Sequence, residues 1–144
     1  MGVFALPKLI YVPLPEEFVS LEEATRPIAE RWADIVQHVK NEYLSPTQAY
    51  PWIVGFSGGK DSTVVAHAVF EALLAIPPSL RTRPVHIVSN DTMVESPLVM
   101  AHLDDVSALI NKAVDSLGLP LTVARTKPDL DKTFWVLLIG RGYP

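Results

Sequence analysis

The sequence predicts an α/β domain built on an open parallel sheet with helices on both faces. Short apolar runs alternate with longer segments of helical periodicity in the order β-α-β-α-β, and a glycine-rich turn joins the first run to a helix. The chain has 144 residues, of which 49% are hydrophobic, and its mean hydropathy is +0.24. These values fit one domain with a buried core.

The N-terminal part of the chain divides into an arm and a helix. Prolines interrupt residues 1–19 and predict an extended arm, while residues 20–144 are expected to form the folded domain. A capping box and apolar residues at helical spacing predict a helix over 21–44. Pro27 either kinks this helix or marks its true start, with Thr25 as the cap.

The remaining elements follow from apolar patterning and from proline and glycine positions. In order, they are a strand at 52–56, a helix at 61–76, a strand at 84–89, a helix at 97–117, a strand at 119–124 and a helix at 130–139. The first strand is apolar throughout and is expected to be buried on both faces. For residues 134–139 a strand is the alternative, because short apolar runs are ambiguous.

The turn between the first strand and its helix reads Ser57-Gly58-Gly59-Lys60-Asp61-Ser62. At such a junction free backbone N–H groups and the positive end of the helix dipole converge, and glycines let a bulky anion approach the backbone. Phosphate is the natural ligand. Ser57 and Ser62 add hydroxyl donors, and Lys60 adds a positive charge that can follow a phosphate as it becomes more negative.

The same turn differs from two familiar nucleotide loops. A Walker A loop needs glycine where this chain has Val54 and a hydroxyl residue where it has Asp61, and no G-x-G-x-x-G spacing occurs. A carboxylate facing phosphate would repel it, so Asp61 is expected to cap the helix or to bind Mg²⁺. An ordinary glycine turn without a ligand is the alternative.

Charged residues also follow the second and third strands. Asp91 and Glu95 come after the second strand, and Arg125 and Lys127 after the third. Ligands of open parallel sheets bind outside the carboxyl ends of the strands, so Asp91 could contact a ribose, an adenine or a metal, and Arg125 a phosphate. The alternatives are a turn-forming aspartate and solvated basic residues.

Composition excludes several function classes. A net charge of −4 argues against a broad basic surface for nucleic acid. The sequence contains no cysteine, which excludes disulfides, cysteine nucleophiles and thiolate-bound metal sites in this chain. The four histidines show no ligand spacing. No signal peptide or membrane-spanning run is visible, so we expect a cytoplasmic protein without membrane contacts.

The loop at 57–62 resembles the signature loop of the PP-loop ATP pyrophosphatases, a superfamily that includes the phosphoadenylyl-sulfate reductases. Three further stretches, 51–56, 90–97 and 134–144, are similar to the DndC family, the sulfurtransferases of bacterial DNA phosphorothioation systems. The resemblance implies the adenine nucleotide alpha hydrolase-like fold. It also implies cleavage of ATP to AMP and pyrophosphate, which activates the DNA backbone for sulfur incorporation.

The resemblance assigns residues and partners. Together with the chemistry of the loop, it implies Lys60 and Asp61 as catalytic residues, Asp61 as the Mg²⁺ ligand, and residues 57–62 with Asp91 as the ATP-binding set. Arg125 joins this set because of its position after the third strand. It implies DNA as substrate, a cysteine desulfurase as sulfur donor and other proteins of the phosphorothioation complex as partners.

Members of that family carry a cysteine-bound [4Fe–4S] cluster, for which this chain has no ligands, so we expect it to be the N-terminal portion of a longer protein. A phosphoadenylyl-sulfate reductase-like or other PP-loop sulfur-transfer enzyme is one alternative function. A non-catalytic ATP-binding assembly module is another.

Overall fold

A computed structural model describes residues 25–46 and 50–142 of the chain. The predicted arm at 1–19 and the predicted helix start at 21–24 lie outside these residues. The described elements alternate between helix and strand. They are α1 (Ile28–Leu44), β1 (Trp52–Gly55), α2 (Lys60–Ala75), β2 (Val85–Asn90), α3 (Pro97–Leu117) and β3 (Leu121–Thr126), with short 3₁₀ helices at Pro78–Leu80 and Leu130–Lys132 and a π-helical segment at Val136–Arg141.

The three described strands form one parallel sheet in the order β1-β2-β3. Val54 of β1 lies beside Ile87 of β2, which in turn lies beside Val123 of β3. Each connection between neighbouring strands contains a helix, as parallel pairing requires. The predicted α/β class with an open parallel sheet is therefore confirmed.

Helices α2 and α3 cover one face of this sheet. Because β1, β2 and β3 follow one another in a single direction, right-handed crossovers place α2 and α3 on the same side. On that side Val54 and Ile87 are buried, whereas Ile53 on the opposite side is 75% exposed. The prediction that the first strand is buried on both faces is wrong. The expected helices on the second face are not found among the described residues.

The core lies between the covered face and α2 and α3. Its most deeply buried side chains are Leu73, Ile76, Val85 and Ile87. Parallel sheets select apolar β-branched residues of this kind where a helix layer covers them. The core thus fixes the sheet against the two helices that begin at its carboxyl edge.

Helix α1 packs mainly on α2, and near its C-terminal end the ring of Tyr43 also contacts Trp52 of β1, with ring centroids 5.5 Å apart. The indole Nε1 of Trp32 donates a hydrogen bond of 2.8 Å to Glu71 Oε2. Near the other end of α1, the Tyr43 hydroxyl donates to the Arg83 carbonyl oxygen at 2.6 Å and accepts from the Arg83 N–H at 2.9 Å. Burial raises the pKa of Tyr43. These bonds join α1 to the segment that enters β2.

Several predicted boundaries are sharpened by the structure. Helix α1 begins directly after Pro27, whose carbonyl oxygen accepts from Glu30 N at 3.1 Å, so this proline marks a helix start and occupies the cap position predicted for Thr25. Helix α3 has its predicted bounds. The Ser96 hydroxyl caps it by accepting from Val99 N at 3.4 Å.

Near the C-terminal end, one prediction needs correction and one alternative is excluded. Strand β3 runs from Leu121 to Thr126, so Arg125 lies within the strand rather than beyond it. The segment 134–139 is helical, and the alternative of a strand there is wrong. The π-helical segment ends at Gly142, which adopts the left-handed conformation.

No helix in residues 25–46 and 50–142 is both long enough and apolar enough to cross a membrane.

Candidate functional site

The loop at 57–62 connects the carboxyl end of β1 to the first turn of α2. Gly58 has a φ of 75°, a left-handed conformation that favours glycine, and Gly59 takes the cap position of the helix. The first hydrogen bond of α2 runs from Thr63 N to Gly59 O at 3.0 Å. Glycines therefore allow the chain to turn sharply between strand and helix.

The N–H groups of the first turn of α2 are available to a ligand. Within the described residues, the N–H groups of Lys60, Asp61 and Ser62 donate no hydrogen bond, and no side chain caps the helix. Unpaired N–H groups at a helix start carry a partial positive charge and attract anions. The loop therefore presents a cluster of backbone donors at the carboxyl edge of the sheet.

Hydrogen bonds of Ser57 and Ser62 stabilise the conformation of the loop. The Ser62 hydroxyl donates to the Gly59 carbonyl oxygen at 3.0 Å and accepts from Ser57 N at 3.2 Å. The two serine Oγ atoms also lie 3.2 Å apart. Since the Ser62 hydroxyl hydrogen is used inside the loop, Ser62 acts first as a positioning residue, which differs from its expected role as a direct donor to ligand.

Lys60 and Asp61 project from this loop without partners. Both side chains are exposed, and within the described residues neither makes a hydrogen bond or an ion pair. No group of three metal-ligating side chains occurs among the described residues. One carboxylate is nevertheless enough where substrate phosphates complete a Mg²⁺ shell, so Asp61 fits a magnesium ion shared with a nucleotide.

Helix α3 packs against the loop through Leu103. A Cβ added to Gly58 would stand only 2.7 Å from Leu103 Cδ2, and Leu103 is 4% exposed. A side chain at position 58 would therefore force Leu103 to shift, in addition to the strain that the left-handed φ of Gly58 imposes. The sequence did not predict this contact, because it depends on how α3 crosses the sheet rather than on local spacing.

The turn after β2 is held together by Asp91. Asp91 is 8% exposed, and its Oδ1 accepts from Met93 N at 3.0 Å while its Oδ2 lies 3.4 Å from Lys127 Nζ. The Asp91 N–H donates to Thr126 O at 2.8 Å. Met93 has a φ of 61°, which is uncommon for a residue with a side chain. The aspartate thus stabilises a strained turn.

Glu95 makes a second side-chain hydrogen bond within the same turn. Its carboxylate oxygen Oε1 accepts from the Thr92 hydroxyl at 2.6 Å, and this hydrogen bond lowers the pKa of Glu95. The turn is also tied to the C-terminal helical segment, because Trp135 Nε1 donates to Met93 O at 3.2 Å. The bond from Trp135 places the C-terminal helical segment of the described residues against the carboxyl edge of the sheet.

A pocket of about 510 Å³ opens between the ends of β2 and β3. Polar, basic and apolar side chains line it together. They come from Asn90, Asp91, Thr92, Thr126, Lys127, Pro128, Lys132, Phe134 and Leu137. Sequence reasoning placed Asp91 here but missed Lys132 and Phe134. The sequence showed the helical pattern of the segment that contains these two residues. It did not show that this segment packs against the carboxyl edge of the sheet.

Arg125 is engaged with α3. Its Nη1 lies 2.7 Å from Asp104 Oδ1, and its side chain is 23% exposed. The predicted role of Arg125 at a phosphate would require this pair to open or to be shared. Beside it on the covered face, Ser89 is 2% exposed, and its Oγ has no hydrogen-bond partner among the described residues.

A second pocket, of about 390 Å³, lies at the opposite end of the sheet, next to Tyr43 and Arg83. Ligands of open parallel sheets bind at the carboxyl ends of the strands, whereas this pocket lies at the amino end of β2. The loop at 57–62 and the pocket at the ends of β2 and β3 therefore form the candidate site.

Fold and site define an open parallel α/β protein with a cluster of exposed backbone donors at the carboxyl edge of its sheet. No protein-family model and no curated protein sequence matches the chain.

Proposed function

We propose that the loop at 57–62 binds the β and γ phosphates of ATP, and that the chain is the nucleotide-activating part of a PP-loop enzyme that releases AMP and pyrophosphate. The observation that carries this proposal is the set of three unpaired N–H groups, from Lys60 to Ser62, beside the unpaired Lys60 side chain. Backbone donors and a lysine together are a common means of holding a phosphate.

Binding at these two phosphates leaves the α phosphorus open to attack. An acceptor oxygen forms a bond to the α phosphorus, the bond to the bridging oxygen breaks, and pyrophosphate leaves with the electron pair. Lys60 and the backbone N–H groups stabilise the charge that develops on the leaving pyrophosphate. A magnesium ion held by Asp61 would add positive charge at the same phosphates.

The pocket at the ends of β2 and β3 supports a nucleoside site beside the loop. Adjacent strands are about 4.8 Å apart, so the end of β2 is the nearest neighbour of the loop across the sheet. Phe134 offers a partly exposed aromatic ring for a base, and Asp91 offers a carboxylate oxygen for a ribose hydroxyl. Arg125 remains a candidate for a phosphate contact.

The resemblance to the DndC family extends the proposal to DNA. The acceptor would be a phosphate oxygen of the DNA backbone, which becomes a good leaving group once it is adenylated, and a cysteine desulfurase would supply the sulfur. With a net charge of −4, the chain is expected to contact DNA locally or through other proteins of a phosphorothioation complex. ATP consumption and DNA as substrate imply a cytoplasmic setting.

An iron–sulfur cluster does not fit this chain. The sequence has no cysteine to supply thiolate ligands, so we assign only the ATP-dependent activation step to it.

The test uses ATP labelled at the α phosphate. The chain is incubated with Mg²⁺, DNA and a cysteine desulfurase, and the labelled products are separated. We expect DNA-dependent label in adenylated DNA or in AMP released from it, the same label with Lys112→Ala, and none with Lys60→Ala. Lys112 is the matched control because it is an exposed, unpartnered lysine on α3. Labelled ADP would contradict the proposed cleavage.

Two other outcomes would replace the proposal with its alternatives. Tight ATP binding without any product would instead indicate a nucleotide-binding assembly module. Preference for phosphoadenylyl sulfate over ATP in a competition assay would instead indicate a reductase-like enzyme, whose nucleotide is a substrate rather than an energy source.

A further inference from the structure

His102 lies beside the loop at 57–62. It precedes Leu103 on α3, the residue that packs against Gly58. The imidazole Cδ2 of His102 is 3.6 Å from the position that a Cβ on Gly58 would occupy. The edge of the imidazole that contains Cδ2 therefore borders the loop at Gly58.

The imidazole of His102 is free to contact a ligand. The side chain is exposed, and within the described residues it makes no hydrogen bond or ion pair. Two of the other histidines are engaged. His67 lies 3.0 Å from Glu71 Oε1, and His86 Nδ1 lies 2.7 Å from the Thr122 hydroxyl. His38 is also exposed and unpartnered, but it lies on α1.

The charged groups near His102 on α3 are two carboxylates. Asp104 is paired with Arg125 at 2.7 Å, whereas Asp105, one helical turn from His102, is exposed and has no partner among the described residues. Lys60 and the loop N–H groups must therefore supply most of the attraction for an anion. An imidazole N–H can donate to a phosphate oxygen in either protonation state. Lys60 on α2 and His102 on α3 would thus contact the same anion.

We infer that His102 is a second phosphate-contacting side chain, which donates a hydrogen bond to the pyrophosphate portion of a nucleotide held by the loop. This inference rests on the proposed function. It adds a residue from α3 to a site otherwise built from β1 and α2. The position of His102 at this site therefore depends on the packing of Leu103 against Gly58. Sequence spacing alone could not predict His102, because it lies 40 positions beyond the last residue of the loop, Ser62.

The test is a titration of the chain with inorganic pyrophosphate, followed by NMR of labelled histidine side chains and backbone amides. We expect the His102 imidazole signals to shift together with the Gly59 amide, while the His38 signals stay in place. In calorimetry, His102→Ala should weaken pyrophosphate binding about tenfold, as expected for one hydrogen bond to a charged group. Binding of AMP should change little, and His38→Ala should behave as the parent.

The possible failures are distinguishable. If the Gly59 amide shifts but the His102 signals and the affinity of His102→Ala do not change, the role of His102 is wrong while the loop assignment stands. If pyrophosphate moves neither signal, the loop assignment fails, and the inference about His102 fails with it. Circular dichroism of His102→Ala checks that this exposed substitution leaves the fold intact.

Discussion

Two turns at the carboxyl edge of the sheet occupy equivalent positions and differ in how their polar groups are satisfied. The loop at 57–62 follows β1, and the turn at 91–95 follows the adjacent strand β2; a helix follows each. In the first, the N–H groups of the helix start and the side chains of Lys60 and Asp61 have no partner among the described residues. In the second, Asp91 and Glu95 are bonded within the turn.

This difference separates binding from stability. Polar groups that are already paired hold a turn in one conformation, whereas unpaired donors around an open space can exchange water for a ligand. We therefore expect substitutions of Lys60 and Asp61 to change nucleotide affinity with little effect on folding. Substitutions in the turn after β2 should mainly lower the free energy of unfolding.

The largest effect is expected at Lys60. Replacing Lys60 with alanine removes the charged donor beside the unpaired N–H groups, so affinity for ATP should fall about tenfold to a hundredfold. Isothermal titration calorimetry with MgATP measures the change, and Lys112→Ala is the control. Equal affinities for Lys60→Ala and the parent would remove the lysine from the site.

A large loss of stability is expected at Asp91. Alanine there leaves the Met93 N–H without its partner in a left-handed turn, which should lower the free energy of unfolding by about 1–3 kcal/mol. The ion pair with the exposed Lys127 should add little. Urea denaturation measures the change, with the exposed Asp115→Ala as control. Unchanged stability with strongly reduced ATP affinity would make Asp91 a ligand contact first.

Gly58 links the loop to α3, and its substitution should have an intermediate effect. Gly58→Ala places a residue with a side chain at a φ of 75° and also forces a contact with Leu103. Gly118→Ala meets only the first problem, because its φ is 59° and nothing lies within 4 Å of an added Cβ. The left-handed conformation should cost each variant about 1 kcal/mol, and Gly58→Ala should lose more.

The excess loss at Gly58 can be assigned by a double-mutant cycle. If the contact with Leu103 causes it, Gly58→Ala should lose less stability in a Leu103→Ala background than in the parent. Equal losses at Gly58 and Gly118 would contradict the close approach of α3 to the loop.

The smallest effect is expected from Glu95. Its pKa is lowered in the folded state by the hydrogen bond from Thr92, so the ionised form stabilises the fold above the unfolded pKa. That contribution should disappear as pH falls from about 5 to 3, through the folded pKa. The urea concentration at the unfolding midpoint should be lower for Thr92→Val than for the parent at pH 7. The two midpoints should converge at about pH 3. A difference that persists there would exclude this hydrogen bond as the cause.

Local patterns predicted much of the fold. Proline, glycine and capping residues gave the bounds of α3 and the start of α2, because these residues act on their own chain neighbours. The faces of the sheet that helices cover were less predictable. The apolar sequence around Ile53 predicted burial on two faces, but helix placement depends on the order of strands in the sheet, and local sequence does not encode that order.

Only part of the candidate site was predictable, because local sequence encodes the loop but not the packing between distant elements. The loop at 57–62 lies within one continuous stretch, so its turn and its N–H donors follow from the residues themselves. The partners of Arg125 and the positions of His102, Leu103 and Phe134 depend on packing between distant elements. Sequence reasoning had no spacing from which to infer them.

The most direct test of the account is where pyrophosphate binds. Backbone amide NMR of the chain titrated with inorganic pyrophosphate and Mg²⁺ reports every N–H group separately. We predict that the largest shifts fall on the amides of Lys60, Asp61 and Ser62, and that Lys60→Ala reduces them. Shifts confined to the pocket beside Tyr43 and Arg83, or no shifts at all, would contradict the assignment of the loop as a nucleotide phosphate site.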